Sequence, residues 1–260
     1  MSGPAITLDV SDGVAWLTFD RPEKRNSIDT EFARTLCELA DQCADDPSIR
    51  CVVLTGSGRF FSVGGDIDAF ANAGDNAEFA VGELARRFHD GVHRLATMDK
   101  PLVTAINGPA AGAGLSLAIL GDIAIAAASA HFTSAYSSVG LTPDGGATWW
   151  LPKLIGMRRA QEMVLTNRRI DAEEAAAIGL VTRTVPDEEL LPAARQIATA
   201  LAAGPVRALA RCRALLRESG TADLASQLDR EASSIASSAG AAEGREGITA
   251  FLAKRPPLFR

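Results

Sequence analysis

Gly13–Phe19 alternates between apolar and polar positions and is rich in β-prone residues, which predicts a strand. A polar loop, Arg21-Pro22-Glu23-Lys24-Arg25-Asn26, follows it. Asp29 is a good N-cap, and Phe32, Leu36, Leu39 and Cys43 then recur at helical spacing. Cys51–Leu54 is a short apolar run closed by Thr-Gly-Ser-Gly, the pattern of a buried strand. Asn76–Met98 predicts a long helix, weakened by Gly82 and Gly91 and stopped by Pro101. Leu102–Ile106 predicts a strand, Gly112–Leu120 a buried helix and Ile123–Ala127 a further strand. Strands and helices alternate at βαβ spacing, so the fold class is α/β. From about Pro186 to Phe251 only helical patterns appear. These helices suit either packing on a neighbouring subunit or a cap on the same chain, and spacing alone leaves both open.

Composition adds exclusions. The chain has 260 residues, 47% hydrophobic and 22% charged, as expected of a globular protein with a sizeable core. Its net charge is −6 and it has no basic stripe, which argues against nucleic acid as partner. Cys37, Cys43, Cys51 and Cys212 form no Cys-x-x-Cys pair, the usage of a reduced, cytoplasmic protein. The first residues have no signal-peptide pattern, and no apolar run reaches the roughly 18 residues needed to span a bilayer.

Few motifs carry chemistry. Gly112-Ala113-Gly114 has Leu117 where a dinucleotide fingerprint needs its third glycine, and there is no Walker loop or Gly-x-Ser-x-Gly elbow. His89 and His93 share a helix face, but zinc needs a third ligand and His131 is remote, so no metal site is expected. Two Gly-rich segments stand out: Phe60–Ile67, with Gly64 and Gly65, and Ile106–Gly114, which leads into a helix. Small residues admit a ligand close to the backbone, and a helix start offers unpaired N–H donors. One N–H from each segment would suit a developing oxyanion. Two ordinary tight turns would show the same spacing.

The order of several landmarks is more specific. Arg21–Asn26, Phe61–Asp66, Lys100-Pro101, Ile106-Asn107-Gly108, Ala111–Leu115, Gly121-Asp122, Gly140–Gly146 and Gly179-Leu180-Val181 together resemble the crotonase (enoyl-CoA hydratase/isomerase) superfamily over essentially the whole chain. The resemblance implies a spiral of ββα units over 1–195 and a helical trimerisation region over 196–260. It also implies an acyl-CoA substrate with no separate cofactor, since coenzyme A is part of the substrate, and a homotrimer or dimer of trimers. The oxyanion donors map onto Gly65 and Ala113. The residues expected to bind substrate are Lys24, Arg25, Ser62, Val63, Asp66, Ile67 and Gly112, with Lys24-Arg25 near the CoA phosphates.

The chain departs from the hydratase pattern. The two hydratase carboxylate positions map onto Ser116 and Tyr136, neither of which is a carboxylate. Asp144, in Thr-Pro-Asp-Gly-Gly, resembles the base of acyl-CoA isomerases, and Leu141, Trp149 and Trp150 nearby suggest an apolar setting that would sharpen its basicity. The same Asp suits the cap of a helix opening near Gly145. A second resemblance, carried by Phe88–His93, Tyr136 and Gly156–Arg168, is to aryl-CoA dehalogenases. There Asp144 would attack the ring, His89 would activate water and Tyr136 would pack near the ring. The reading is an Asp144-dependent isomerase. A dehalogenase or thioesterase is the alternative, and a hydratase-like or inactive acyl-CoA-binding protein is a further one.

Overall fold

A computed structural model describes residues 3–259. The chain opens with β1 (Ile6–Ser11) and β2 (Val14–Phe19), then α1 (Thr30–Asp45) and β3 (Cys51–Gly56). It continues through α2 (Ile67–Asn72), α3 (Ala77–Thr97), β4 (Leu102–Ile106), β5 (Ala110–Ala111), α4 (Ala113–Ala118), β6 (Ile123–Ala127) and β7 (His131–Thr133). After α5 (Ala147–Thr166), β8 (Ile170–Asp171), α6 (Ala172–Ala177) and β9 (Arg183–Val185), the rest is helical: α7 (Leu190–Ala203), α8 (Val206–Ser219), α9 (Leu224–Gly240) and α10 (Ala242–Leu252).

Six strands form one sheet in the order β1-β2-β3-β4-β6-β9, parallel except for the β1–β2 pair, and β5, β7 and β8 form a small second sheet. The large sheet is buried on both faces, which explains its near-continuous apolar strands. Leu17, Val52, Leu54, Leu102 and Ile106 face a core shared with α1, α3, α4 and α5. Their neighbours Trp16, Cys51, Val53, Val103 and Ala105 face Leu190, Ala194, Ala198 and Ala202 of α7 instead. A division at residue 195 therefore falls inside a helix that covers the sheet, and the core runs through Ala202.

Local sequence accounts for the helix starts. The Asp29 carboxylate accepts from Phe32 N–H at 2.9 Å, which caps α1. It is also held by the guanidinium of Arg21, which is 3% exposed, through contacts of 2.6 and 2.7 Å. Burial opposes ionisation of Asp29, but the Arg21 hydrogen bond and the Phe32 N–H outweigh it and hold the carboxyl below its ordinary range. The C-terminal helices are tied to the core by Arg213 of α8. Its guanidinium donates to the Met98 and Lys100 carbonyls, each at 2.5 Å, and pairs with Asp122 at 2.6 Å. No helix among the described residues is long and apolar enough to cross a membrane.

Candidate active site

The two Gly-rich segments meet. Ala111 N–H donates to the Ser62 carbonyl at 3.0 Å, and Phe61 N–H to the Pro109 carbonyl at 3.1 Å. The first segment is also stitched to the chain before α1: Ile28 N–H donates to the Gly64 carbonyl at 2.8 Å, and Asp66 N–H to the Ile28 carbonyl at 3.0 Å. Gly64 has φ 88°, and a Cβ there would stand 2.7 Å from the Ala111 carbonyl oxygen, so only glycine fits the crossing. Ser62 is fully buried; its hydroxyl donates to the Asn26 carbonyl at 2.7 Å and accepts from Gly64 N–H at 3.2 Å. These bonds leave Gly65 N–H, and Ala113 N–H at the first residue of α4, without an acceptor among the described residues.

Both amides border one cavity of about 330 Å³. Of the residues expected from the sequence, Val63, Gly65, Ile67, Gly112, Ala113, Tyr136 and Asp144 line it. Asp144 is the one carboxylate among its lining residues, and most of the wall is apolar. The Asp144 side chain is 30% exposed. Tyr136 donates its hydroxyl to Asp144 Oδ1 at 2.6 Å, and buried Ser116 donates to the Asp144 main-chain carbonyl at 2.8 Å. Burial, and then the charge of Asp144, push the Tyr136 hydroxyl far above the ordinary tyrosine range, so it serves as a donor.

Several expected residues lie elsewhere. Lys24 is half exposed, with its Nζ 3.8 Å from Asp29, and the Arg25 guanidinium sits 5.8 Å from the Phe60 ring centroid. Asp66 caps α2 by accepting from Ala69 N–H at 3.1 Å. None of these, nor Ser62, lines the cavity. His89 reaches Asp144 from outside it. His89 Nε2 is 3.6 Å from Asp144 Oδ2 and accepts from Gly145 N–H at 3.0 Å, which places the proton of the neutral ring on Nδ1.

Two expectations about Asp144 are corrected. It does not cap a helix with its side chain: α5 begins at Ala147 with Gly146 as N-cap, and the Asp144 main-chain carbonyl accepts from Ala147 N–H. Trp149 and Trp150 do not surround it either. They turn with α5 into a separate cleft beside His89 and His93, and of the three apolar neighbours in sequence only Leu141 lines the Asp144 cavity. Sequence reasoning missed the α3 wall, formed by Val81, Gly82, Leu84, Ala85 and Phe88. Its helical spacing was visible, but an ordinary core face gives the same pattern.

Comparison with known proteins identifies the family and the fold. The family model described as enoyl-CoA hydratase/isomerase matches residues 9–260. The chain is 41% identical to 1,2-epoxyphenylacetyl-CoA isomerase of Escherichia coli K12 over 260 residues, with 98% of this chain and 97% of that protein covered. It is 31% identical to 4-chlorobenzoyl coenzyme A dehalogenase-2 of an Arthrobacter species, with 96% and 91% covered. The crystal structure of an enoyl-CoA hydratase from Polaromonas sp. JS666 superimposes with a TM-score of 0.94 at 33% identity, covering 98% of this chain and 99% of that one. The chain therefore belongs to the enoyl-CoA hydratase/isomerase family, with the crotonase fold.

Proposed function

We propose that this protein isomerises an acyl-CoA thioester, with Asp144 moving a proton and the Gly65 and Ala113 amides holding the enolate oxygen. The observation that carries this reading is that the cavity bordered by both free amides is lined by one carboxylate, Asp144. Hydration through paired carboxylates would need a second one, and Ser116 and Tyr136 stand in those places. One carboxylate suffices for isomerisation. Asp144 takes a proton from a carbon of the acyl group, charge gathers on the thioester oxygen, and the acid form returns the proton to another carbon. Tyr136 occupies Oδ1 and leaves Oδ2 as the atom that exchanges the proton. Loss of one main-chain donor of this kind costs about 2.7–4 kcal/mol of barrier, so the fixed crossing of the two segments supports much of the rate.

The similarity to an epoxyacyl-CoA isomerase supports the isomerase reading over hydration. Lys24 and Arg25 remain the residues proposed to face the CoA phosphates. A trimer is supported by the apolar side chains that α9 and α10 leave outward, such as Leu224, Ile235, Leu252 and Phe251, the last 82% exposed.

The 3.6 Å approach of His89 to Asp144 favours one second reading, hydrolytic dehalogenation. In that reaction Asp144 forms an aryl ester and His89 activates the water that cleaves it. The present hydrogen bond from Gly145 engages the His89 lone pair and favours the isomerase. Turnover of an acyl-CoA panel by the wild type, His89→Gln and Asp144→Asn tests the choice. The isomerase reading expects isomerised products, loss of turnover in Asp144→Asn and less than about a tenfold loss in His89→Gln. A covalent adduct on Asp144 in His89→Gln after incubation with a halogenated benzoyl-CoA, seen by intact mass spectrometry, would overturn it.

A further inference from the structure

The peptide between Asp144 and Gly145 is gripped at both ends by side chains of two different helices. Its carbonyl accepts from the Ser116 hydroxyl of α4 at 2.8 Å, and its N–H donates to His89 Nε2 of α3 at 3.0 Å. The turn itself supplies little restraint, because two glycines follow Asp144, with φ of 60° at Gly145 and 84° at Gly146. The peptide lies in a crevice between α3 and α4, where a Cβ on Gly145 would stand 2.7 Å from the Phe88 ring and 2.8 Å from Ser116 Cβ. Ser116 is fully buried and His89 is half exposed, so one grip is closed to water and the other is open to it.

The grip of His89 depends on its protonation state. Accepting from Gly145 N–H needs the lone pair on Nε2, which an imidazolium lacks. Protonation would turn Nε2 from acceptor to donor, release Gly145 N–H and set a positive charge 3.6 Å from Asp144 Oδ2. Both changes act against Asp144 as a base. Tyr136 holds the other carboxylate oxygen, Oδ1. The charged neighbours of His89 on α3 are engaged elsewhere: Arg86 pairs with Glu83, and Arg87 and Asp90 lie near Cys37 of α1. His93 shares the outer cleft with His89, and Lys153 of α5 sits over the Trp149 ring that lines it.

We infer that Ser116 and His89 are positioning residues that clamp the Asp144–Gly145 peptide and so aim the carboxylate into the cavity, His89 only as the neutral ring. This rests on the Asp144 reading above and adds what holds the base in place. A misplacement of about 1 Å at a reacting group costs about a hundredfold in rate, so a clamp on this turn has a large effect to exert.

Two measurements on the full-length protein test the inference. The first, ¹⁵N NMR of histidine-labelled protein at about pH 8 without substrate, is expected to show the His89 proton on Nδ1 and a bare Nε2. The His89→Gln spectrum assigns the signal, and a proton on Nε2 would overturn the clamp. The second is steady-state turnover of 3-hexenoyl-CoA and the rest of the acyl-CoA panel, with melting temperatures measured alongside. Glutamine can still accept from Gly145 N–H, so His89→Gln is expected to stay within about tenfold of the wild-type kcat. His89→Leu fills the space without an acceptor and is expected to lose about a hundredfold in kcat, with KM changed less than about twofold. Ser116→Ala is expected to lose about tenfold in kcat. On acidification the wild-type kcat is expected to fall at a higher pH than that of His89→Gln. Wild-type kcat in His89→Leu, equal losses in His89→Leu and His89→Gln, or coincident acid limbs would overturn the inference. A wild type that turns over no member of the panel would refute the isomerase reading, and the NMR measurement then decides the clamp by itself.

Discussion

Tyr136 is the only tyrosine in the chain, so its ionisation can be followed without interference from another phenol. In the folded protein its hydroxyl donates to Asp144 Oδ1 at 2.6 Å. Ionising it would place a phenolate against a carboxylate in a partly buried setting. At a charge separation of roughly 4 Å and an effective dielectric of about 20, the repulsion is about 4 kcal/mol, roughly a thousandfold in the acid equilibrium. Burial adds to this in the same direction. The unfolded chain has no such penalty and ionises near the ordinary value of about 10. The folded form thus holds a proton that the unfolded form releases. The resulting stability is fully present below about pH 10 and is lost as pH rises above it, by about 1.4 kcal/mol for each unit. An alkaline titration read by tyrosinate difference absorbance, with circular dichroism recorded in parallel, checks this. No tyrosinate should form on the native baseline, and all of it should appear together with unfolding. Tyr136→Phe should flatten the fall of stability above about pH 10. Tyrosinate rising near pH 10 while the fold is retained would refute the assigned hydrogen bond and the donor role built on it.

Two further outcomes are expected. Ala113 is the first residue of α4, where proline is tolerated, so Ala113→Pro should remove a donor while keeping the helix and lower turnover by about two orders of magnitude; a folded variant with unchanged activity would take Ala113 out of the site. Arg213→Ala removes the side chain that binds the Met98 and Lys100 carbonyls and pairs with Asp122, and should cost about 3 kcal/mol or more in urea unfolding, whereas a loss below about 1 kcal/mol would mean that the α8 anchor is not energetically important.

The parts of the fold legible in the sequence are those whose cause is local. Asp29 caps α1 and Asn76 precedes α3 where spacing placed them, and the central strands β2, β3, β4 and β6 appear at their apolar runs. Strands β5, β7 and β8 have two or three residues, too few for any period to show, and exist because chain segments meet there. Strand β1 was not read because it lies at the sheet edge, with Asp9 and Val10 exposed. At the site, Asp144 and the two glycine segments were visible as motifs, and the structure brings them to one cavity. What they touch was not visible. The Tyr136–Asp144 contact depends on a turn through Gly140, and the outward course of Trp149 and Trp150 depends on where α5 starts. No periodicity encodes either.

The free donors at Gly65 and Ala113 belong to the main chain, and that has a consequence for how this site can change over evolutionary time. A side-chain donor disappears with one codon change, but an amide survives every replacement except proline. The crossing that aims these two amides rests on main-chain bonds and on the lack of a side chain at Gly64. The side chains at positions 89, 116, 136 and 144 make none of the bonds that hold this crossing. Lineages can therefore try new side-chain chemistry around an unchanged pair of main-chain donors, which makes a descendant with a different reaction reachable by a handful of point mutations.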